Sequence, residues 1–270
     1  MSPTPHEWLL RVAFDGAGFA GFQKQEAGIR TVAGALEDGW HAWTGERPWL
    51  RTSSRTDAGV HARRMPVHVR TARALPAKAV VLGFNAHLPE DVAVQEASPV
   101  PAGFHVRRDA IGKQYVYRIW TARARNPLRR HDAWHVPWTL DVEAMRVAAG
   151  HLRGEHDFSA FRAAGCQAKS TKRYIWRVDV DAEQAPLLEV RVRGNAFLRN
   201  MVRIMAGTLA EVGKGRIEPE AMPHILQSRR RDAAGPTAPA HGLTLDDVRY
   251  GPPASGAGLD HAALDQAWPD

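Results

Sequence analysis

The sequence predicts an α+β protein of two similar domains, each a mostly antiparallel sheet covered by helices on one face. Three observations lead there. Strand-like and helix-like segments mingle in both halves of the chain. Neither half shows a run of parallel β-α-β units opening on a glycine-rich phosphate fingerprint. Turn and breaker residues are densest at Pro99-Val100-Pro101-Ala102-Gly103, which marks a boundary. The expected division is 1–104 for an N-terminal domain, 105–251 for a C-terminal domain and 252–270 for an irregular tail rich in Gly, Pro and Ala.

Each element follows from local pattern. Trp8 to Phe14 is a β-branched and aromatic run stopped by the turn pair Asp15-Gly16, hence a strand. From Thr31 the spacing changes: Val32, Leu36, Trp40 and Trp43 fall three or four apart behind a threonine cap, predicting a helix with one buried face. A loop containing Ser53-Ser54-Arg55-Thr56-Asp57-Ala58-Gly59-Val60-His61-Ala62 precedes a strand from Pro66 to Thr71. A helix over Ala77 to Asn85 and a strand over Val92 to Glu96 close the first half. The second half offers strands at Lys113 to Thr121, Arg173 to Asp181, Leu187 to Arg193 and Leu243 to Arg249. Its helices are expected at Asp141 to Leu152, at Phe197 to Val212 and from Pro219.

Composition narrows the function classes. The 270 residues are 44% hydrophobic and 24% charged, the balance of a folded domain with a core. Lys and Arg number 36 against 29 Asp and Glu, a formal charge of +7 that favours polyanionic partners, nucleic acid first. Cys166 is the only cysteine, which rules out an intrachain disulfide and a thiolate zinc cluster and fits a reducing, cytoplasmic setting. The start MSPTPHEWLL lacks the pattern of a signal peptide, and no stretch approaches ~18 uninterrupted apolar residues, so no membrane association is expected.

Several chemistries lose support. The thirteen histidines do not form His-Glu-x-x-His or a comparable ligand pair, so no metal site is expected. Phosphate-loop, dinucleotide and Gly-x-Ser-x-Gly signatures are missing as well. What remains is a carboxylate able to act without a metal. Asp57 is flanked by Ala58 and Gly59, which leave room for a ligand to approach the main chain, and by Arg55, which offers a positive charge. From the residues alone, an aspartate before Ala-Gly is more commonly a turn residue or cap.

The stretch SSRTDAGVHA resembles the Gly-Arg-Thr-Asp-Ala-Gly-Val-His motif of the tRNA pseudouridine synthase A family, and the resemblance runs along nearly the whole chain. FDGAGFAGFQKQ (Phe14 to Gln25), FNAHLPEDVAV (Phe84 to Val94), FHVRRDAIGKQYVYRI (Phe104 to Ile119), GEHDFSAFRAAGCQAKSTKR (Gly154 to Arg173), GNAFLRNMVRIMAGTLAEVG (Gly194 to Gly213) and TAPAHGLTL (Thr237 to Leu245) resemble its further blocks in order. Three positions depart from it. Ser54 stands where the family usually has glycine, Met65 where it often has glutamine and Asn200 where histidine is common.

The resemblance implies an isomerase without a cofactor, converting uridine to pseudouridine at positions 38, 39 and 40 of the tRNA anticodon arm, with the active-site cleft between the two domains. It implies that Asp57 is the nucleophile, that Tyr115 lies against the target base, and that Arg203 pairs with the aspartate. Arg55 is then an RNA-binding residue that helps displace the base, and Leu243 lines an apolar wall. It also implies a homodimer in which one tRNA touches both subunits.

The chemistry needs a carboxylate to attack ribose or base, a hold on the detached ring, and a base for the C5 proton. Arg203 follows Met201 and Val202 and precedes Ile204 and Met205, suggesting a partly buried cation in want of an anion; a solvent-facing arginine is the plainer alternative. Tyr115 and Tyr117 project from one face of a strand, suited either to a base or to ordinary core packing. Flipping the base out costs a few kcal/mol, recovered from contacts to base and backbone. Arg107-Arg108 leads the basic clusters expected to face RNA, with Arg63-Arg64, Arg123 and Arg125, Arg129-Arg130, Lys169 with Lys172 and Arg173, and Arg229-Arg230-Arg231. Two rival readings share these residues: a non-catalytic RNA-binding protein, and a carboxylate-dependent glycosidase or nucleosidase, which normally uses two carboxylates.

Overall fold

The computed structural model of the chain describes residues 6–251 and Trp268. It is an α+β protein with mostly antiparallel strands and five α-helices among the described residues. The chain clusters into two compact units. Residues up to Ile111 and those from Leu245 form the first; Gly112–Thr244 and Trp268 belong to the second.

In the first unit β1 (His6–Phe14) is paired antiparallel on both sides, with β3 (His61–Thr71) and with β4 (Val92–Pro99), while β2 (Trp49–Thr52) pairs with the outer part of β3. The alternation of β1 is clean: Trp8, Leu10, Val12 and Phe14 are buried and the residues between them are half-buried. Helix α1 (Val32–Thr44) begins where Thr31 accepts from the Gly34 N–H and ends where Gly45 turns left-handed, φ 75°. Its buried stripe of Val32, Leu36 and Trp40 meets α2 (Ala77–Asn85), where Trp40 and Phe84 pack with ring centroids 4.9 Å apart. Truncating either ring to alanine removes contacts worth about 3–5 kcal/mol.

In the second unit β5 (Ala110–Trp120), β9 (Leu187–Gly194), β8 (Lys172–Asp181) and β7 (Gly154–Asp157) pair antiparallel in that order, β5 belonging to this unit from Gly112 onward. The two-residue β6 (Trp134–His135) adds the parallel contact, Ile119 facing Trp134. Helix α3 (Val142–Gly150), capped by Asp141, packs on β8 and on α4 (Met201–Gly213); α5 (Met222–Ser228) follows. α4 is buried almost all round, as a helix with Met, Val, Ile, Leu and Ala on every side must be. The last strand, β10 (Leu243–Tyr250), returns the chain to the first unit from Leu245 onward, beside β3.

The differences from the sequence-based expectation have local causes. β3 starts at His61 rather than Pro66, because the proline, which lacks an N–H, is accommodated inside the strand opposite Arg11. α4 starts at Met201 rather than near Phe197, because Asn200 adopts a left-handed conformation, φ 59°, that breaks the helix. β2, β6 and β7 were not anticipated: they are two to four residues long, and GEHD carries no strand-forming pattern of its own. The tail expected over 252–270 lies outside the described residues except for Trp268. That ring is buried, with the Arg193 guanidinium 5.8 Å from its centroid.

Candidate active site

Asp57 sits in the loop between β2 and β3, half-buried. Its position is fixed by turn chemistry and by contacts with the loop after β1. Its carbonyl accepts from the Val60 N–H at 3.1 Å across Ala58-Gly59, and Gly59 supplies the φ of 77° that the third position of such a turn requires. The Gly59 N–H donates to Phe19 O at 3.3 Å, and the Phe22 N–H donates to Thr56 O at 3.2 Å. Glycines permit this closeness. A Cβ on Gly16 would stand 2.1 Å from Val60 O, and one on Gly21 would stand 2.7 Å from Thr56 O.

Side chains fasten the same two loops. The Gly16 N–H donates to Nδ1 of His61 at 3.0 Å, and Arg55 Nη1 donates to Gln23 Oε1 at 3.2 Å. Asp15 Oδ1 also lies 3.0 Å from Nδ1, but a nitrogen accepting from Gly16 holds no proton for a carboxylate. We read this contact as proximity, since Asp15 Oδ1 already accepts from the Ala17 N–H at 2.9 Å. Arg55 is exposed, whereas Ser54 and Thr56 on either side are buried, with hydroxyl oxygens that find no hydrogen-bond partner among the described residues. Met65, the other departure in this region, is fully buried in β3, and the Thr52 hydroxyl lies 3.0 Å from its sulfur.

Tyr115, Arg203 and Leu243 belong to the second unit. Tyr115 lies on β5, 9% exposed, with its ring edge-to-face against Phe197 at 5.0 Å. Tyr117, two residues on, is fully buried, and its hydroxyl donates to Pro239 O at 2.9 Å. Burial drives that phenol far above the ordinary tyrosine range, against the nearby positive charge of Arg203. Tyr117 is therefore a fixed neutral donor.

Arg203 stands in the first turn of α4, half-buried. Its Nε donates to Ala238 O at 2.8 Å and its Nη1 donates to Asn200 Oδ1 at 3.1 Å. The segment supplying these carbonyls is moulded onto α4: a Cβ on Gly207 would stand 1.9 Å from Pro236 O, and the Gly235 N–H donates to Thr208 Oγ1 at 3.0 Å. A short 3-10 turn, Ala240–Gly242, then delivers Leu243, 6% exposed. Arg203, Tyr117 and the carbonyls of Ala238 and Pro239 thus form one connected group. Arg203 and Leu243 were candidates from the sequence and Asn200 was marked there only as a departure from the family pattern, whereas the two carbonyls were not anticipated; Gly207 and Gly235 were the available signal.

The basic candidates divide by their partners. Arg108 is held: Nε donates to Asp109 Oδ1 at 2.8 Å and Nη2 to Gly103 O at 3.1 Å. That bond, followed by the His105 N–H, holds the Asp109 carboxyl below the usual range. Arg63, Arg64, Arg129, Arg229 and Arg230 also face carboxylates, and Arg231 donates to Gly235 O. Arg107, Arg123, Arg125, Lys169 and Lys172 are exposed and make no ion pair among the described residues.

Comparison with known proteins adds an independent observation. The family described as tRNA pseudouridine synthase matches residues 148–251. The chain is 47% identical over 241 residues to tRNA pseudouridine synthase A of Pelobacter propionicus, covering 89% of this chain and 98% of that protein. It is 45% identical over 241 residues to the protein of the same name from Geotalea uraniireducens, with the same coverage of 89% and 98%. The namesake from Myxococcus xanthus is 47% identical over 247 residues, covering 91% of this chain and 93% of its own length.

Proposed function

Since this chain belongs to the tRNA pseudouridine synthase A family and is an isomerase acting on tRNA, we propose that it forms pseudouridine at positions 38, 39 and 40 of the anticodon stem-loop, with Asp57 as its nucleophile. The observation that carries the choice of residue is the Asp57 loop. The main chain on either side of its only carboxylate is held by hydrogen bonds and glycine contacts from the loop after β1, with Asp57 half-buried. Such preorganisation suits a nucleophile more than a surface turn.

The reaction breaks the bond from ribose to uracil N1, turns the ring and rejoins it through C5. The C5 proton leaves to a base and N1 gains one, so substrate and product are isomers. Asp57 provides the attacking carboxylate. Arg203 is the cation that pairs with this carboxylate. Tyr115 lies against the flipped base and takes part in moving the C5 proton, while Leu243 forms an apolar wall. Arg55, exposed beside Asp57, helps displace the base, and the clusters led by Arg107 and Arg108 hold the RNA backbone. We further propose that the enzyme works in the cytoplasm as a homodimer; no helix among the described residues is long and apolar enough to cross a membrane.

The test is tritium release from tRNA labelled at uracil C5. Pseudouridine formation requires that hydrogen to leave, whereas a protein that only binds RNA releases none. Free uracil among the products would instead indicate a glycosidase.

A further inference from the structure

Asn200 is one of two non-glycine residues with positive φ among the described residues, at φ 59° and ψ 7°. Asparagine tolerates this region better than most side chains, yet it is an uncommon conformation. An asparagine preceding a helix ordinarily turns its oxygen onto an N–H of the first turn. Here no such cap forms, and Oδ1 accepts from Nη1 of Arg203 at 3.1 Å. The left-handed backbone therefore serves to aim a side-chain oxygen at a guanidinium.

The consequence for Arg203 is geometric. A guanidinium is planar, so bonds from two of its nitrogens to acceptors on different segments set both its position and its plane. Ala238 O takes Nε at 2.8 Å and Asn200 Oδ1 takes Nη1. The main chain adds a third tie, the Ala238 N–H donating to Arg203 O at 3.1 Å. The Ala238 carbonyl and the Asn200 carboxamide are both neutral, so neither cancels the charge of the arginine.

We propose that Asn200 is a positioning residue of the isomerisation, fixing the position and plane of the Arg203 guanidinium. The proposal rests on the roles given above to Asp57 and Arg203.

Asn200→Gly separates the side-chain oxygen from the backbone, because glycine adopts positive φ without strain while losing the whole side chain. The expected result is a melting temperature equal to or above that of the parent, a KM for tRNA within about two-fold, and a kcat lowered about ten-fold by misorientation. Asn200→Asp is expected to lower kcat as well, its added charge drawing on the Arg203 guanidinium. Unchanged kcat in the glycine variant overturns the proposal. A lost kcat with a lowered melting temperature, or with a KM raised in step, assigns Asn200 to folding or to tRNA binding and overturns it too. In both cases an active parent and a silent Asp57→Asn leave the proposed function standing; an inactive parent, or an active Asp57→Asn, removes the premise and the proposal together.

Discussion

The Gly16 N–H donates to Nδ1 of His61 at 3.0 Å, joining the end of the Asp57 loop to the first turn after β1. With Nδ1 accepting, the imidazole carries its proton on Nε2 in the neutral form. Two segments more than forty residues apart are so held together, and the candidate nucleophile belongs to that assembly.

Gly16→Ala tests how much this docking matters. The new Cβ would meet Val60 O at 2.1 Å, a backbone atom that cannot rotate away. Overpacking of this kind costs about 1–3 kcal/mol, and the relief comes from moving the Asp57 loop. Melting temperature and kcat are both expected to fall. Gly150→Ala, in α3 where the added methyl meets nothing within 4 Å, is the control, expected to leave kcat unchanged.

Arg107 and Arg108 are expected to behave differently. Arg107→Ala removes an exposed cation, and the slope of log affinity for tRNA against log salt should fall by about 1. Arg108→Ala first breaks the bonds to Asp109 and Gly103, so it should lower stability and change the salt slope less. Equal slopes for Arg107→Ala and the parent would show that this side chain does not meet phosphate.

His68 makes stability depend on pH. It is buried in β3, and burial lowers its pKa below 6.5, against the opposing pull of Glu7 at 2.8 Å; Arg70 and Arg51 lower it further. The unfolded chain therefore takes up a proton at a higher pH than the folded one. The stability is present above pH 6.5 and is lost as the pH falls from there towards the folded value. Thermal melts between about pH 8 and 5 should show the parent losing more than His68→Gln, and parallel curves would contradict this.

Much of this molecule was legible in local pattern. The spacing of Val32, Leu36 and Trp40 and the Thr31 cap marked α1, and Ala77–Asn85 matched α2 to the residue. What local pattern missed depends on distant partners. β7 is a strand because Ile175 and Tyr174 lie opposite it, and Pro66 stays within β3 because β1 and β2 flank that strand. In the candidate site, Asp57 and Arg203 stood out as charges among small or apolar neighbours. Asn200 stood out only as a departure from the family pattern, because its contact with Arg203 depends on a left-handed backbone and on an arginine bonded at the same time to Ala238.

The central claim is that Asp57 forms a bond to a nucleotide of tRNA during isomerisation. Its most direct test is to incubate the purified protein and its Asp57→Asn variant with unmodified tRNA and map pseudouridine. The account predicts pseudouridine at positions 38 to 40 with the parent, and none with the variant despite tRNA affinity within a small factor of the parent's. Pseudouridine from the variant at a rate near the parent's would contradict it.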